Sequence, residues 1–169
     1  ERQNVEYISC DMYEGFRFLK TTYFKKAKVC IDPFHGIQLV NTVPDIDIKR
    51  VMNRYEEGST PYYLFKKKRL LLLKNAVKID WTRREYNHHF KYTLTNHKMR
   101  ELQFEIDSII KEIYNLKEEY LWINARKDLN LVETKLDHFI STCVYHTHSN
   151  LRRVGRTLIK WKREILNSF

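Results

Sequence analysis

Asp11, Asp32 and His35 are the residues of this 169-residue chain whose types and spacing suggest chemistry. Each aspartate directly follows a short apolar segment, and His35 comes three residues after the second one. Carboxylates at strand ends supply the oxygen ligands that Mg²⁺ prefers, and two such ions about 4 Å apart support phosphoryl transfer. Both aspartates also precede predicted helices, where an aspartate can serve only as a cap. Spacing alone favours that simpler role.

The segments that carry these residues predict a strand–helix–strand–helix unit over residues 5–41. VEYISC and AKVCI are the two strands, an aromatic-rich helical run joins them, and Pro33 opens the next helix. The two strands are expected to be parallel, so both aspartates should lie at the edge of the sheet where α/β proteins bind ligands. Two strands alone do not form a stable sheet.

The remainder of the chain predicts helices. Pro44 interrupts the helix that starts near His35, and residues 76–98 are irregular, with His88 and His89 as polar surface. Apolar residues at helical spacing mark the other helices. These lie at about residues 46–57, 62–75, 100–121, 131–145 and 150–169.

Positive charge is concentrated in the middle of the chain. The formal net charge is +10, and residues 49–100 contain fourteen Lys or Arg against four Asp or Glu. A localised basic block favours an anionic partner, with nucleic acid ahead of a membrane surface. A solvated helix face covered by lysine stems explains Lys66–Arg69 equally well. The first candidates for phosphate contact are Lys66, Lys67, Lys68, Arg69, Arg83 and Arg84.

The cysteines and the hydropathy of the sequence indicate the cellular compartment in which the protein is expected. The three cysteines form no C-x-x-C pair, which favours reduced thiols in a cytoplasmic protein. Apolar runs such as Leu70–Leu73 are too short to span a bilayer, and no signal-peptide pattern is present. No membrane role and no small-molecule substrate are expected.

The stretch from Val5 to Asn41 resembles the transposases of bacterial insertion sequences of the ISL-three family. These are DDE transposases with an RNase H-like catalytic domain. Asp11, in ISCDMYEGF, matches the family's second catalytic aspartate, and Asp32-Pro-Phe-His35 matches its Asp-x-x-His signature. YYLFKKKRLLLLKN, NLKEEYLWIN and LIKWKREILNSF resemble later family segments, so the similarity covers essentially the whole chain.

The resemblance implies metal-dependent DNA cleavage and strand transfer. Three carboxylates would hold two Mg²⁺ ions, with Mn²⁺ as a possible substitute, and Asp11 would be one of these metal ligands. Asp32 and His35 would support the site structurally. The implied partners are transposon ends and target DNA, and the full-length protein would be a homo-oligomer. The implied location is the bacterial cytoplasm, associated with the nucleoid when bound to DNA.

The resemblance also predicts the domain organisation. Residues 1–43 would be a partial RNase H-like core of two parallel strands with helices. Residues 44–169 would be a mostly α-helical insertion, basic over 49–100, in a predominantly helical chain. The family's first catalytic aspartate and final catalytic glutamate have no match in this sequence. Glu6 and Glu164 do not occupy those motifs and cannot replace them.

An internal fragment of this kind is expected to be inactive in isolation and to bind no metal tightly. The alternative is a degenerate transposon remnant. It would be a non-catalytic helical module that binds DNA or a full-length transposase.

Overall fold

The structure is a computed structural model that describes residues 4–169. It is predominantly helical, and the described residues also form two separate two-stranded sheets. A 3₁₀ turn, Ala76–Lys78, lies between the fourth helix and the third strand. The elements in chain order are β1 (Tyr7–Cys10), α1 (Glu14–Tyr23), β2 (Lys28–Ile31), α2 (Pro33–Met52), α3 (Thr60–Lys67), α4 (Leu70–Leu73), β3 (Arg84–Asn87), β4 (Tyr92–Thr95), α5 (Asn96–Ile106), α6 (Ser108–Asn124), α7 (Leu129–Tyr145) and α8 (Ser149–Leu166).

β1 and β2 pair in parallel and are connected by α1, as the sequence predicted. The register aligns Cys10 with Ile31, the last residues of the two strands. Both strands therefore end at the same edge of the sheet. β2 is the more buried strand, because Val29, Cys30 and Ile31 are all buried, whereas Cys10 is the one buried residue of β1.

The chain divides into two compact units. The terminal unit contains the described residues up to Val40 together with Tyr120–Phe169, and the middle unit contains Asn41–Glu119. This grouping places the last helices with the parallel strands, whereas the sequence analysis grouped them with the middle of the chain. Residues 1–3 of the predicted catalytic part lie outside the described residues. The division at residue 43 into a catalytic core and an insertion remains a prediction.

In the terminal unit, α8 packs against β2 and α7. The Asn167 side-chain amide donates a hydrogen bond to the Val29 carbonyl at 2.8 Å, and the Cys30 thiol lies 3.2 Å from the Asn167 carbonyl. Gly155 allows α7 and α8 to approach closely, because a Cβ at this position would lie 2.9 Å from the backbone nitrogen of Val144. The side chains that α8 buries recur at helical spacing: Leu151, Val154, Leu158, Trp161 and Ile165.

The middle unit has two apolar clusters. The larger one joins α2 to the helices that follow it. The smaller one lies beneath the β3–β4 hairpin and consists of Leu71, Leu94 and Met99. The buried members of the larger cluster are Ile48, Val51, Phe65, Leu72, Phe104, Ile110 and Tyr114.

A buried lysine links α6 to the segment after α4. Lys117 is fully buried, and its ammonium donates to the carbonyls of Leu72 at 2.8 Å and Lys74 at 2.7 Å. It also pairs with Glu118, whose carboxylate accepts the backbone N–H of Ala76 at 3.1 Å. Burial lowers the pKa of Lys117. The ammonium thus satisfies carbonyls at the end of α4 that the helix itself leaves without donors.

Three sequence-based helix assignments were wrong. α2 continues through Pro44, which is buried within it. A proline removes one helical hydrogen bond, and the burial of flanking residues such as Val43 and Ile48 offsets that loss. The predicted helix at 100–121 is two helices, because Asp107 separates them and its carboxylate accepts the N–H of Ile109 at 3.0 Å. The predicted helix at 62–75 is likewise divided into α3 and α4.

The irregular assignment of residues 76–98 was also wrong, since this segment contains the antiparallel hairpin of β3 and β4. Its turn is closed by Asn87, whose side-chain oxygen accepts the backbone N–H of His89 at 3.0 Å and that of Phe90 at 3.2 Å. His89 is half-buried rather than polar surface. It stacks on Tyr63 with ring centroids 4.7 Å apart.

The three cysteines are buried and form no disulfide with one another, and their burial agrees with the prediction of core thiols. Among the described residues, no helix has both the length and the apolar character needed to cross a membrane.

Candidate metal ligand and nucleic-acid interface

Asp11 follows the last residue of β1, at the carboxyl edge of the parallel sheet. Its carbonyl accepts the N–H of Tyr13 at 2.9 Å, which holds the backbone in a turn before α1. Its Oδ1 atom is buried and accepts no hydrogen bond from the described residues. A buried carboxylate oxygen without a donor is costly, because it has lost water and gained no partner.

Asp32 occupies the equivalent position after β2 and has a different environment. Its N–H donates to the Cys10 carbonyl at 3.0 Å, which extends the strand pairing by one residue. Its Oδ1 accepts the N–H of Phe34 at 2.9 Å, so the carboxylate satisfies a backbone donor at the start of α2. Asp32 is exposed, whereas Oδ1 of Asp11 is buried.

His35 lies in the first turn of α2. Its N–H donates to the Asp32 carbonyl at 2.9 Å, and its ring packs edge-to-face on Phe34 with centroids 5.6 Å apart. The backbone thus brings Asp11, Asp32 and His35 to one edge of the sheet.

The donor set at this edge fits one position of a metal site but not a complete one. Asp11 offers a buried carboxylate oxygen that has no competing donor in the part of the chain that the structure describes, which suits a hard cation. Within residues 4–169, no group of three or more His, Cys, Asp or Glu side chains could hold a metal ion. The charge of Asp11 acts on its neighbour: burial, and next the Asp11 carboxylate, raise the pKa of the Cys10 thiol.

The carboxylate of Glu164 in α8 is bound by Arg17 of α1. Both of its carboxylate oxygens accept from Arg17, at 2.8 Å and 2.9 Å, and Arg17 also donates to the Lys160 carbonyl at 2.6 Å. The guanidinium lies 3.9 Å from the centroid of the Trp161 ring. The hydrogen bonds to Glu164 are the main cause of the raised pKa of Arg17.

The six candidates for phosphate contact in the middle unit fall into two groups, those with an ion-pair partner and those without one among the described residues. The Lys66 ammonium pairs with Glu57 at 2.9 Å, and the Lys68 ammonium pairs with Glu85 at 3.1 Å. Hydrogen bonds to Tyr62 and Glu57 raise the pKa of Lys66. The side chains of the other four candidates form no ion pair or hydrogen bond with another described residue. These four are Lys67, Arg69, Arg83 and Arg84, and all are exposed.

The β3–β4 hairpin presents one of these four cations, Arg84, on its exposed face. Arg84 and Tyr86 lie on the same face of β3, because side chains alternate along a strand. Both are exposed, as is Thr93, which pairs with Tyr86. The opposite face buries Asn87 and Leu94. An outward face with an arginine, an aromatic ring and a hydroxyl is suited to contact with a phosphate backbone.

Sequence reasoning missed this face because it missed the hairpin. The signal was present: two short runs with residues typical of strands, REYN and YTLT, flank the four turn residues HHFK. Lys91 closes the turn with a positive φ of 60°. That conformation is uncommon for a residue other than glycine and is not evident from the sequence.

A family model described as "Transposase", that of the ISL-three DDE transposases, matches residues 1–169. No curated protein and no solved structure matches the chain significantly. The family match extends over the strands, the hairpin and all eight helices of the described chain. The chain therefore belongs to the ISL-three family of DDE transposases, and its function is related to transposition.

Proposed function

We propose that this chain is part of a transposase that cleaves DNA and joins the freed strand to a target with the help of divalent metal ions. Asp11 would be one of the carboxylates that bind metal. The observation that carries the proposal is the buried Oδ1 of Asp11, which has no hydrogen-bond donor among the described residues and lies at the carboxyl edge of a parallel sheet. A bound cation would offset the cost of burying that oxygen.

The arrangement of β1, α1 and β2 supports an RNase H-like origin for this part of the chain. Two parallel strands joined by a helix, with the aspartate after the first strand, are what the resemblance implies for the second half of that fold. Asp32 and His35 would act as supports. The Asp32 carboxylate starts α2, and its carbonyl holds the backbone of His35.

When bound, Mg²⁺ or Mn²⁺ would activate the attacking oxygen and stabilise the leaving oxygen of the phosphodiester. The contribution of Asp11 is a fixed negative oxygen on a rigid strand end. Because the backbone at Asp11 is held by the Tyr13 N–H and by the pairing of β1 with β2, the carboxylate would need little reorganisation to bind a cation.

We do not expect this chain to cleave DNA by itself. The family's first aspartate and final glutamate have no match within these 169 residues. Glu164, whose carboxylate is held by Arg17, is not available to replace the latter. One carboxylate cannot assemble a two-metal site, so metal binding to the isolated chain should be weak.

For DNA contact we propose the four candidate cations whose side chains have no ion-pair partner among the described residues: Lys67, Arg69, Arg83 and Arg84. Lys66 and Lys68 are secondary candidates, because each ammonium already has a carboxylate partner. The outward face of β3 and β4 adds Tyr86 beside Arg84. Contacts of this kind would position DNA without reading its sequence.

The competing function is a helical module that binds DNA or a full-length transposase and performs no catalysis. The absence of a three-residue metal cluster within residues 4–169 is the observation that favours it. The two functions differ in what the protein encoded by the whole gene does. A cleaving enzyme requires Mg²⁺ and Asp11, whereas a binding module requires neither.

The experiment uses the protein encoded by the whole gene, with a labelled transposon-end duplex. We expect strand cleavage that depends on Mg²⁺, stops on addition of EDTA and is lost in Asp11→Asn, while binding of the duplex is retained. Cleavage that persists in Asp11→Asn would refute the metal-ligand role. Absence of any cleavage by the wild-type protein, with DNA binding intact, would favour the non-catalytic module.

A further inference from the structure

We infer that the terminal unit contains a second nucleic-acid site, a basic cavity between α1, β2 and α8 that binds the phosphodiester backbone of a DNA strand. It is separate from the basic residues of the middle unit and does not depend on catalysis at Asp11. The cavity has a volume of about 430 Å³. Five cationic side chains and one acidic side chain line it: Arg17, Lys20, Lys26, Lys28, Arg163 and Glu164.

The one acidic group at the cavity is already neutralised. Glu164 is held by two hydrogen bonds from Arg17, at 2.8 Å and 2.9 Å. Arg17 also pairs with Glu14 at 3.3 Å, and its guanidinium lies 3.9 Å from the centroid of the Trp161 ring. Arg17 therefore forms a fixed wall of the cavity and has little capacity left for a ligand.

The other four cations have no such partners. The side chains of Lys20, Lys26, Lys28 and Arg163 form no ion pair or hydrogen bond with any described residue. Like charges gathered around one cavity repel one another, and a bound polyanion would relieve that repulsion. Burial and packing do not explain their placement, because Lys26, Lys28 and Arg163 are exposed.

The shape of the site favours a strand over a single phosphate ion. Two neighbouring cavities, of about 520 Å³ and 530 Å³, flank the first. One shares Lys26 and Lys28 with it, and the other shares Arg17 and Arg163. Adjacent cavities that share Lys26, Lys28 and Arg163 offer more than one position for a phosphate, although Glu6 and Glu133 also line the outer two. The central cavity has no aromatic side chain in its lining for a base to stack on, so the expected contact is with the backbone and independent of sequence.

A phosphate bound beside Lys26 and Lys28 is not the phosphate that would be cleaved at Asp11. Lys28 begins β2, whereas Asp11 follows the end of the parallel strand β1. The two positions lie at opposite ends of the sheet, separated by a four-residue strand, which is about 13 Å long. DNA bound at the Lys26–Lys28 wall of the cavity would therefore lie away from the reacting bond, and this wall would contribute affinity rather than chemistry.

The test measures binding of a labelled DNA duplex to this chain by fluorescence anisotropy over a series of salt concentrations. The site variant combines Lys26→Gln, Lys28→Gln and Arg163→Gln. The control combines Lys127→Gln, Lys135→Gln and Arg153→Gln, which remove the same charge from exposed positions elsewhere in the terminal unit. We expect the site variant to bind roughly tenfold or more weakly, with a salt slope smaller by about 2 to 3. The control should stay within about twofold of wild type.

Equal losses in the two variants would overturn the proposal, because they would report net charge alone. No loss in the site variant would overturn it as well. Displacement of DNA by inorganic phosphate at constant ionic strength would indicate a single-phosphate pocket. Equally tight binding of labelled poly-glutamate, with the same loss in the site variant, would indicate a site for acidic protein. If the triple variant does not fold, Lys26→Gln and Lys28→Gln should each lower the salt slope by about one.

All these substitutions lie in the terminal unit. If the site variant binds DNA as tightly as wild type, the proposed interface of the middle unit is therefore unaffected. That interface is tested by its own variant.

Discussion

Gly36 of α2 lies directly against the hydroxyl group of Tyr120 in α6, with no room for a side chain between them. Tyr120 is buried and packs on Phe139 of α7, with ring centroids 5.2 Å apart. Burial raises the pKa of Tyr120 to about 12. Through this contact α2, which begins directly after Asp32, is joined to the helices at the end of the chain.

We expect Gly36→Ala to destabilise the protein by about 1–3 kcal/mol, because the added methyl group would overlap the Tyr120 hydroxyl. Alanine is the better helix former, so the loss reports the overlap and not the helix propensity. Thermal or urea unfolding measures the change. In the Tyr120→Phe background, where the next ring atom would lie 3.4 Å from the methyl carbon, the same substitution should cost little. Equal costs in the two backgrounds would show that the contact is not responsible.

Lys117 provides a second test of the packing. Lys117→Met keeps an unbranched apolar stem one atom shorter than that of lysine but leaves the carbonyls of Leu72 and Lys74 without their donor. We expect a loss of about 2–4 kcal/mol in the free energy of unfolding. Lys111→Met is the matched control, because Lys111 lies on the same helix and is exposed. If both variants lose the same stability, the buried hydrogen bonds contribute nothing specific.

The proposed DNA interface of the middle unit predicts a salt effect at Arg84. Arg84→Gln removes an exposed cation of β3 that has no partner among the described residues. We expect several-fold weaker binding of duplex DNA and a salt slope smaller by about one. Lys111→Gln removes the same charge from α6 and should change neither quantity. A slope that stays unchanged in Arg84→Gln would remove this residue from the interface.

Local patterns made part of the fold predictable. The parallel pair of strands and α7 follow from short apolar runs and helical spacing, which are local properties. The path of the chain through Pro44 was not predictable, because burial of neighbours such as Ile48 overrides the local signal of a proline. Asp107 was read as part of one long helix, although its side chain starts a new one.

The candidate site was predictable only in part. The positions of Asp11 and Asp32 after strands could be read from the sequence, but the difference between them could not. That difference depends on a hydrogen bond from the Phe34 N–H to the Asp32 carboxylate and on the lack of a donor, within residues 4–169, for Oδ1 of Asp11. The basic cavity combines Lys26 and Lys28 with Arg163, and no local pattern connects residues so far apart in the chain.

The metal-ligand role of Asp11 is tested by comparing Asp11→Asn with Asp32→Asn in the protein encoded by the whole gene. The measurement is the rate of Mg²⁺-dependent cleavage of a transposon-end duplex, with binding of the duplex recorded alongside. We expect Asp11→Asn to lower the rate by about a thousandfold or more without weakening binding, because a metal ligand contributes several kcal/mol to the transition state. Asp32→Asn should retain most of the activity, since an asparagine oxygen can still accept the Phe34 N–H. Cleavage near the wild-type rate in Asp11→Asn would contradict a metal-ligand role for Asp11, as would a loss of binding equal to the loss of cleavage.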